Sequence, residues 1–147
     1  MVVNLRAVTR ENYRELIALE VAQDQKRFVA SNLLTIAQMQ FKEEKIVLGI
    51  YDGNTPVGLI AYDLDDYDIW RLMVDEKYQK RGHGRKAMEK VIELLHLHGK
   101  LPEARTSVVP ENQAARKLYG SLGFRETGEI IDGEIVLSLS FLEESKG

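Results

Sequence analysis

Cysteine is absent from the 147 residues of this chain, and only three prolines are present. The lack of cysteine excludes disulfide frameworks, thiolate zinc sites, iron–sulfur clusters and cysteine nucleophiles. No stretch resembles a linker, so we expect one continuous domain over residues 1–147. The chain also lacks an apolar run near the ~20 residues of a membrane span, and residues 1–12 lack the apolar core of a signal peptide. These absences predict a soluble, cytoplasmic protein without a membrane partner.

An excess of positive charge is also missing. Lys and Arg number 20 against 23 Asp and Glu, which gives a formal charge of −3. Because general nucleic-acid binding depends on an excess of basic residues, we expect no nucleic-acid partner. Apolar residues make up 44% of the chain, and a domain of this length buries roughly 70% of the surface that its unfolded chain exposes.

The hydrophobic periodicity predicts the element order β-α-α-β-β-β-α-β-α-β-β. Turn residues at 52–54 and 132–133 indicate two hairpins, and the long helix after Gly84 indicates one parallel crossover. The first helix is expected to be capped by Thr9 and to extend to Val21. We therefore expect a mixed α/β fold with a mostly antiparallel central sheet flanked by helices.

A glycine-bearing loop lies between a predicted strand and the long helix. Gly82 and Gly84 have no side chains, so an anion could approach the helix N-terminus, where the first amides have no partner within the helix. Lys80, Arg81 and Arg85 add positive charge. The pattern predicts a phosphate-binding loop, with an ordinary turn before a surface helix as the structural alternative.

Two common nucleotide motifs fit this loop poorly. A Walker loop ends in Gly-Lys-Ser/Thr, whereas residues 84–86 read Gly-Arg-Lys. Residues 82–87 do match G-x-G-x-x-A, but that fingerprint follows the first strand of a parallel sheet and needs an acidic residue that closes the next strand. The nearest candidate, Glu103, precedes the next strand, so a dinucleotide-binding module remains only a rival interpretation.

Two spaced motifs resemble those of the GNAT superfamily of N-acetyltransferases. Gln79, Gly82 and Gly84 match its Gln/Arg-x-x-Gly-x-Gly/Ala signature. The segment from Asn112 to residue 124, which contains Tyr119, resembles the second conserved block of the family. The element order is similar over nearly the whole chain. Residues 7–9, 28–30 and 75–79 are also similar to bacterial spermine/spermidine acetyltransferases.

The resemblance implies acetyl-coenzyme A as cosubstrate. The loop would take the pyrophosphate, the strand before it would pair with the pantetheine arm, and an amide of that strand would polarise the acetyl carbonyl. Cofactor contacts are expected at Leu72, Met73, Val74, Gln79, Lys80, Arg81, Gly82, His83, Gly84, Arg85, Asn112 and Tyr119. Because the family is often dimeric, a homodimer is compatible with this interpretation.

Direct transfer needs an acid for the leaving thiolate and a neutral amine. The resemblance makes Tyr119 the candidate acid, although its helical spacing alone favours a core tyrosine. The base stays open, because the strand at residues 69–74 contains no carboxylate. Its candidates are Asp68, Asp75, Glu76 and Glu134. The histidines show no spacing typical of a metal site, so we expect no metal.

Four carboxylates and two aromatic rings occupy residues 62–68. They could bind a polycation by charge pairing and cation–π contacts, or form a solvated turn. Together with the resemblance, this stretch predicts a small polyamine such as spermidine or spermine as substrate. Candidate substrate contacts are Glu20, Asp24, Asp63 and Asp68. Alternative acceptors are a protein N-terminus, a lysine or an aminoglycoside, and a non-catalytic acyl-coenzyme A sensor is a rival from another class.

Overall fold

The computed structural model describes residues 1–142, which form a seven-stranded sheet with four α-helices. The strands are β1 (Val3–Ala7), β2 (Lys45–Asp52), β3 (Thr55–Asp63), β4 (Asp68–Val74), β5 (Glu103–Val108), β6 (Arg125–Ile131) and β7 (Glu134–Ser140). The helices are α1 (Tyr13–Ile17), α2 (Asn32–Gln38), α3 (His83–His98) and α4 (Gln113–Ser121). Three 3₁₀ turns lie at Gln23–Gln25, Met39–Phe41 and Glu76–Tyr78.

The strands lie in the spatial order β1-β2-β3-β4-β5-β7-β6, and within the described residues only β4 and β5 are parallel. The other neighbouring pairs are antiparallel. The long helix α3 makes the connection between the two parallel strands, because parallel neighbours need a crossover. The mixed α/β fold, the mostly antiparallel sheet and the single parallel crossover are confirmed.

The two faces of the sheet carry separate hydrophobic clusters. On one face, apolar residues of α3 and α4 such as Met88 and Tyr119 pack with Ile60 of β3. On the other face, Leu16 of α1 packs with Leu59 of β3 and Met73 of β4. Because strand side chains alternate between faces, the nearly fully buried strand β3 contributes to both clusters.

The first helix differs from the sequence-based expectation. It ends at Ile17 instead of continuing to Val21, and its N-cap is Asn12, although Thr9 and Asn12 do bond each other through side chains and amides. The chain leaves the helix because Glu20 is bonded elsewhere: its amide donates to the Asp75 side chain, and its carbonyl accepts from the Glu76 amide. Tertiary hydrogen bonds thus override the helical periodicity of this segment.

Candidate active site

The parallel strands β4 and β5 separate after two residue pairs. Their register joins Asp68 to Arg105 and Ile69 to Thr106, with no further pair among the described residues. The Thr106 hydroxyl donates to the Ile69 carbonyl at 2.8 Å, which adds a side-chain bond at this point. Beyond it, the two strands diverge and leave a cleft within the sheet.

The edge of β4 that lines this cleft offers main-chain groups for pairing. The Asp75 amide donates to Val57 of β3, and successive residues of a strand direct their main-chain groups to alternate sides. Leu72 and Val74 therefore direct theirs toward the cleft, whereas Met73 directs its groups toward β3. An irregularity in the register at Trp70 and Arg71 bends the strand beside the opening. The edge is suited to an extended, peptide-like arm.

The glycine loop closes one end of the cleft at the N-terminus of α3. Gly82 is the N-cap with φ +95°, and Lys80 also has a positive φ of +64°. A Cβ on Gly84 would reach van der Waals contact with Val74 and Leu72 side chains, so this glycine permits close approach of α3 to β4. Lys80, Gly82, Gly84 and Arg85 line the cleft, and the helix amides there suit an anion.

Three other loop residues have structural contacts. The Gln79 amide nitrogen donates to the Val74 carbonyl at 2.8 Å and exchanges hydrogen bonds with the side chain of Gln25. The Arg81 guanidinium lies over the Tyr78 ring, 5.8 Å from its centroid. His83 is 2% exposed, and its ring contacts the Tyr78 carbonyl and the Asp52 carboxylate. Gln79 thereby fixes the loop to the end of β4.

Asn112, at the N-cap of α4, and Tyr119, within α4, line the opposite wall. The Asn112 side chain caps the helix by accepting from the Ala115 amide at 3.2 Å. Tyr119 is buried at 7% exposure. Burial raises the pKa of Tyr119 to about 12; the Thr106 side chain acts against this rise, and the charges of Glu134 and Asp68 add to it. The phenol therefore keeps its proton throughout the neutral range and is in the form of an acid.

The cleft consists of two connected hollows. The hollow beside the glycine loop has a volume of about 570 Å³ and the one beside Tyr119 about 400 Å³. They share Phe28, Leu72, Asn112 and Leu118 as walls. The two hollows therefore adjoin each other along β4, between the glycine loop and Tyr119.

Asp68 and Glu134 meet at the far end of the cleft. They line one small hollow together with Arg105 of β5, and Glu134 also lines the hollow beside Tyr119. Glu134 accepts from the Ser107 hydroxyl at 3.0 Å. Burial, followed by the nearby Asp66 charge, raises the pKa of Asp68 to about 6, against the opposing effect of Arg105. An ionisable carboxyl with this pKa can exchange protons near neutrality.

The other three acidic residues that were expected to contact the substrate do not line the hollow of Asp68. Asp63 is 3% exposed and bonded to Lys42 at 2.9 Å; although burial opposes it, this bond keeps the pKa of Asp63 below its usual range. Glu20 pairs with Lys26 at 3.5 Å beside the end of β4, and Asp24 lines the hollow of the glycine loop. The structure therefore does not gather the four carboxylates into one wall.

Two of the four base candidates are also remote from the Tyr119 hollow. Asp75 is 8% exposed and accepts from the amides of Glu20 and Lys77, so it caps the turn before the loop. Glu76 is exposed in the same turn. Asp68 and Glu134 are the two candidates that line the far end of the cleft.

The segment between α1 and α2 supplies walls that the sequence analysis did not assign to the site. Arg27, Phe28 and Val29 line both hollows, although residues 28–30 had served only as a point of family resemblance. Trp70 and Arg71 of β4 line the hollow beside Tyr119. No local sequence signal distinguishes these residues, because their place in the cleft depends on the early end of α1 and the irregularity in β4.

Within residues 1–142, no group of three or more His, Asp or Glu side chains is arranged to hold a metal ion. None of the helices in the same range is long and apolar enough to cross a membrane.

Comparison with known proteins agrees with this architecture. Residues 9–124 match the acetyltransferase (GNAT) family. A spermine/spermidine N(1)-acetyltransferase of Bacillus subtilis is 29% identical, over 93% of this chain and 97% of its own. Spermidine N-acetyltransferase from Vibrio cholerae, solved with coenzyme A and spermine, has a similar fold, with a TM-score of 0.71, 17% identity and 92% of each chain covered.

A second solved structure extends the likeness. The PaiA N-acetyltransferase from Thermoplasma acidophilum, in complex with coenzyme A, is similar with a TM-score of 0.72 and 16% identity, over 96% of this chain and all of that one. The family match covers most of the chain, and the open edge of β4 and the glycine loop suit the arm and pyrophosphate of coenzyme A. The chain belongs to the acetyltransferase (GNAT) family and is an acetyl-coenzyme A-dependent N-acetyltransferase.

Proposed function

We propose that this enzyme transfers the acetyl group directly to a primary amine of spermidine or spermine, within a complex that holds both substrates. The observation that carries the proposal is the course of the cleft. The hollow at the glycine loop shares walls with the hollow at Tyr119, and Glu134 lines both the Tyr119 hollow and the hollow of Asp68. The two substrates can therefore meet between an acid on one side and carboxylates on the other.

The cofactor half of the site is formed by β4, the glycine loop and α4. The main-chain groups of Leu72 and the amide of Val74, whose carbonyl is bonded to Gln79, pair with the extended arm, while the amides at Gly82 and Gly84 take the pyrophosphate. Lys80 and Arg85 add positive charge, and Asn112 holds the N-terminus of α4 against the same space. Acetyl-coenzyme A, when bound, supplies an acyl thioester that is open to attack by an amine.

Tyr119 acts as the general acid. Its hydroxyl is protonated at neutral pH because burial raises the pKa of Tyr119 to about 12. A phenol placed beside the reacting centre can donate its proton to a thiolate as negative charge develops there. Thr106 and Glu134 line the same hollow as Tyr119, which supports this role.

Asp68 or Glu134 receives the proton of the attacking amine, directly or through water. A primary ammonium has a pKa near ~10.4, so it must lose a proton before it can attack. The raised pKa of Asp68, about 6, makes it a stronger base than an ordinary aspartate while leaving it ionised at pH 7. Glu134 is the alternative, since it lines the hollow beside Tyr119.

The choice of a polyamine is supported by charge and by relatives. A monoamine carries no anchoring charge once it is neutral, whereas a polyamine keeps other ammonium groups. Asp66, Asp68, Asp132 and Glu134 line one hollow with a single cation, Arg105, and could hold such groups. The relative from Bacillus subtilis bears the name spermine/spermidine N(1)-acetyltransferase.

A second candidate acceptor is an amine that carries an anionic group, such as an amino acid or an acidic peptide N-terminus. The observation in its favour is the set of cations Lys26, Arg27 and Arg71 in the Tyr119 hollow, where Glu134 is the only carboxylate among the lining residues. These cations would repel the second ammonium group of a polyamine that extends toward α1 and α2. They would attract the carboxylate of an acidic acceptor in the same place.

An amine panel with free-thiol detection tests the proposal. Spermidine and spermine should give the highest kcat/KM, ahead of butylamine, an acidic peptide, free lysine and an aminoglycoside. Direct transfer predicts intersecting lines when both substrates are varied, whereas a covalent acetyl-enzyme predicts parallel ones. A preference for the acidic peptide would replace the polyamine by the second candidate, and parallel lines would refute direct attack.

A further inference from the structure

The buried histidine at the start of α3 has two hydrogen-bond partners that can only accept. Its Nδ1 lies 3.1 Å from the Tyr78 carbonyl oxygen, and its Nε2 lies 2.9 Å from the Asp52 carboxylate oxygen Oδ2. His83 is 2% exposed, so solvent does not compete for these contacts. Neither a peptide carbonyl nor an ionised carboxylate has a proton to offer.

Both ring nitrogens must therefore carry hydrogen for both contacts to be hydrogen bonds. A neutral imidazole has only one N–H, so either tautomer leaves a nitrogen lone pair opposed to an oxygen lone pair. Both carboxylate oxygens of Asp52 have hydrogen-bond partners, because Oδ1 accepts from the Val2 amide at 3.0 Å. These contacts favour the charged form of Asp52. The His83 bond and this amide bond lower the pKa of Asp52.

These bonds span the glycine loop. The Tyr78 carbonyl lies before the loop and His83 lies after it, so the ring ties together the two ends of residues 79–82. Within that span, Lys80 and Gly82 adopt positive φ values, and such backbone conformations persist only where surrounding contacts hold them. Asp52 then ties the closed loop to the end of β2.

We propose that His83 is a positioning residue that holds the pyrophosphate loop in its binding conformation as an imidazolium ion, with Asp52 as its counterion. When the imidazolium loses one of its two N–H protons, one of the two contacts is broken and the loop is loosened. The affinity for coenzyme A is therefore higher while both ring nitrogens of His83 carry hydrogen, and it falls when the pH is high enough to remove one of them. The inference rests on the pyrophosphate role of the loop given above.

Several other charged and titratable groups surround His83. Asp52 comes from the end of β2, the Tyr78 phenol from the preceding turn, and the α-amino group of Met1 adjoins Asp52. Lys80, Arg81 and Arg85 belong to the loop and the start of α3. Because the α-amino group of Met1 is also ionisable, a variant without the imidazole serves as the reference.

The first test measures the imidazole in the free wild-type protein, with no ligand and no substitution. Nitrogen-15 NMR of the histidine side chains at pH 7 should show two protonated ring nitrogens for His83, whose signal is assigned by its loss in His83→Gln. One protonated and one unprotonated ring nitrogen at this pH would overturn the proposal.

The second test measures coenzyme A binding by calorimetry from pH 6.5 to pH 9. Relative to His83→Gln, the wild-type dissociation constant should rise by about threefold to tenfold, the factor expected for one hydrogen bond. In Asp52→Asn, the amide can donate to Nε2, so a neutral ring satisfies both contacts and the pH dependence should be as flat as in His83→Gln. An Asp52→Asn variant with the wild-type slope would overturn the proposal.

A control separates this ring from the other histidines of α3. His98 is exposed near the opposite end of the helix, and His98→Asn should keep the wild-type pH dependence. A slope lost equally in this variant would overturn the assignment to His83. If Gly82→Glu leaves coenzyme A binding intact, the pyrophosphate role of the loop fails instead, while the NMR result on His83 stands by itself.

Discussion

The Thr106 hydroxyl donates a 2.8 Å hydrogen bond to the Ile69 carbonyl at the last residue pair that joins β4 to β5. Both groups are buried, and the bond uses a carbonyl on the edge where the two strands separate. The same threonine side chain interacts with Tyr119. One residue thus links the end of strand pairing to the proposed acid, so the opening of the sheet and the position of the phenol depend on each other.

Replacing Tyr119 by phenylalanine removes the hydroxyl and keeps the ring that packs in the core. We expect kcat to fall by about 10²-fold or more, within the range of general acid catalysis, and the KM for acetyl-coenzyme A to change little. Steady-state kinetics with spermidine at saturating cosubstrate measures the effect. Tyr13→Phe, in α1, is the matched control and should keep wild-type turnover. If Tyr119→Phe keeps near-normal turnover under conditions in which the chemical step is rate-limiting, Tyr119 is a packing residue and not the acid.

Gly82→Glu should abolish coenzyme A binding and leave the domain folded. The added side chain would place negative charge where the pyrophosphate is expected, and the N-cap would carry a strained positive φ. Calorimetry with coenzyme A measures the loss, and circular dichroism checks the fold. Gly128→Glu is a suitable control, since Gly128 has φ +87° with open space around it. Equal loss of binding in both variants would count against the loop.

Asp68→Asn tests the base through the pH profile of kcat/KM. With a native pKa of about 6, Asp68 is ionised and active above this value, so activity should rise with pH through about 6 in the wild type. In Asp68→Asn this acidic limb should disappear and the rate should fall by about 10²-fold. If Asp68→Asn keeps the acidic limb and Glu134→Gln loses it, Glu134 is the base instead of Asp68.

The raised pKa of Asp68 also makes the stability of the fold depend on pH. The native pKa of Asp68 lies above the ordinary value for aspartate, so the folded state binds the proton more tightly than the unfolded state. The associated stabilisation is present at pH 4 and below and is lost as the pH rises through about 6. Relative to Asp68→Asn, the wild type should lose about 2 kcal/mol of unfolding free energy between pH 4 and pH 8. Urea titrations at both pH values measure this difference.

The preference for a polyamine should depend on ionic strength. Exposed charge pairs contribute roughly 0–1 kcal/mol each, so two or three carboxylates could give on the order of tenfold discrimination between spermidine and butylamine. Because salt shortens the Debye length toward ~3 Å at 1 M, the ratio of their kcat/KM values should decrease as salt rises. Equal efficiencies at low salt would refute the polyamine proposal and leave the N-acetyltransferase assignment intact.

The amino-acid sequence by itself determined the features that depend on neighbouring residues. Alternating and helical periodicities predicted the order of strands and helices, and turn residues predicted the hairpins. Gly82 and Gly84 identified the loop because the need for a glycine arises from local backbone geometry, as the positive φ of Gly82 illustrates. The spacing of Gln79, Gly82 and Gly84, followed by Asn112 and Tyr119, was sufficient to recognise the family.

Only the tertiary structure decided which distant residues meet. Asp68 and Glu134 share a hollow because β4, β5 and β7 lie side by side, whereas Asp63 turns to Lys42 although it is close to Asp68 in sequence. The pairing of His83 with Asp52 links positions 31 residues apart. Such contacts depend on strand register and on where a helix ends, and these are set by the packing of the whole domain and not by any local pattern.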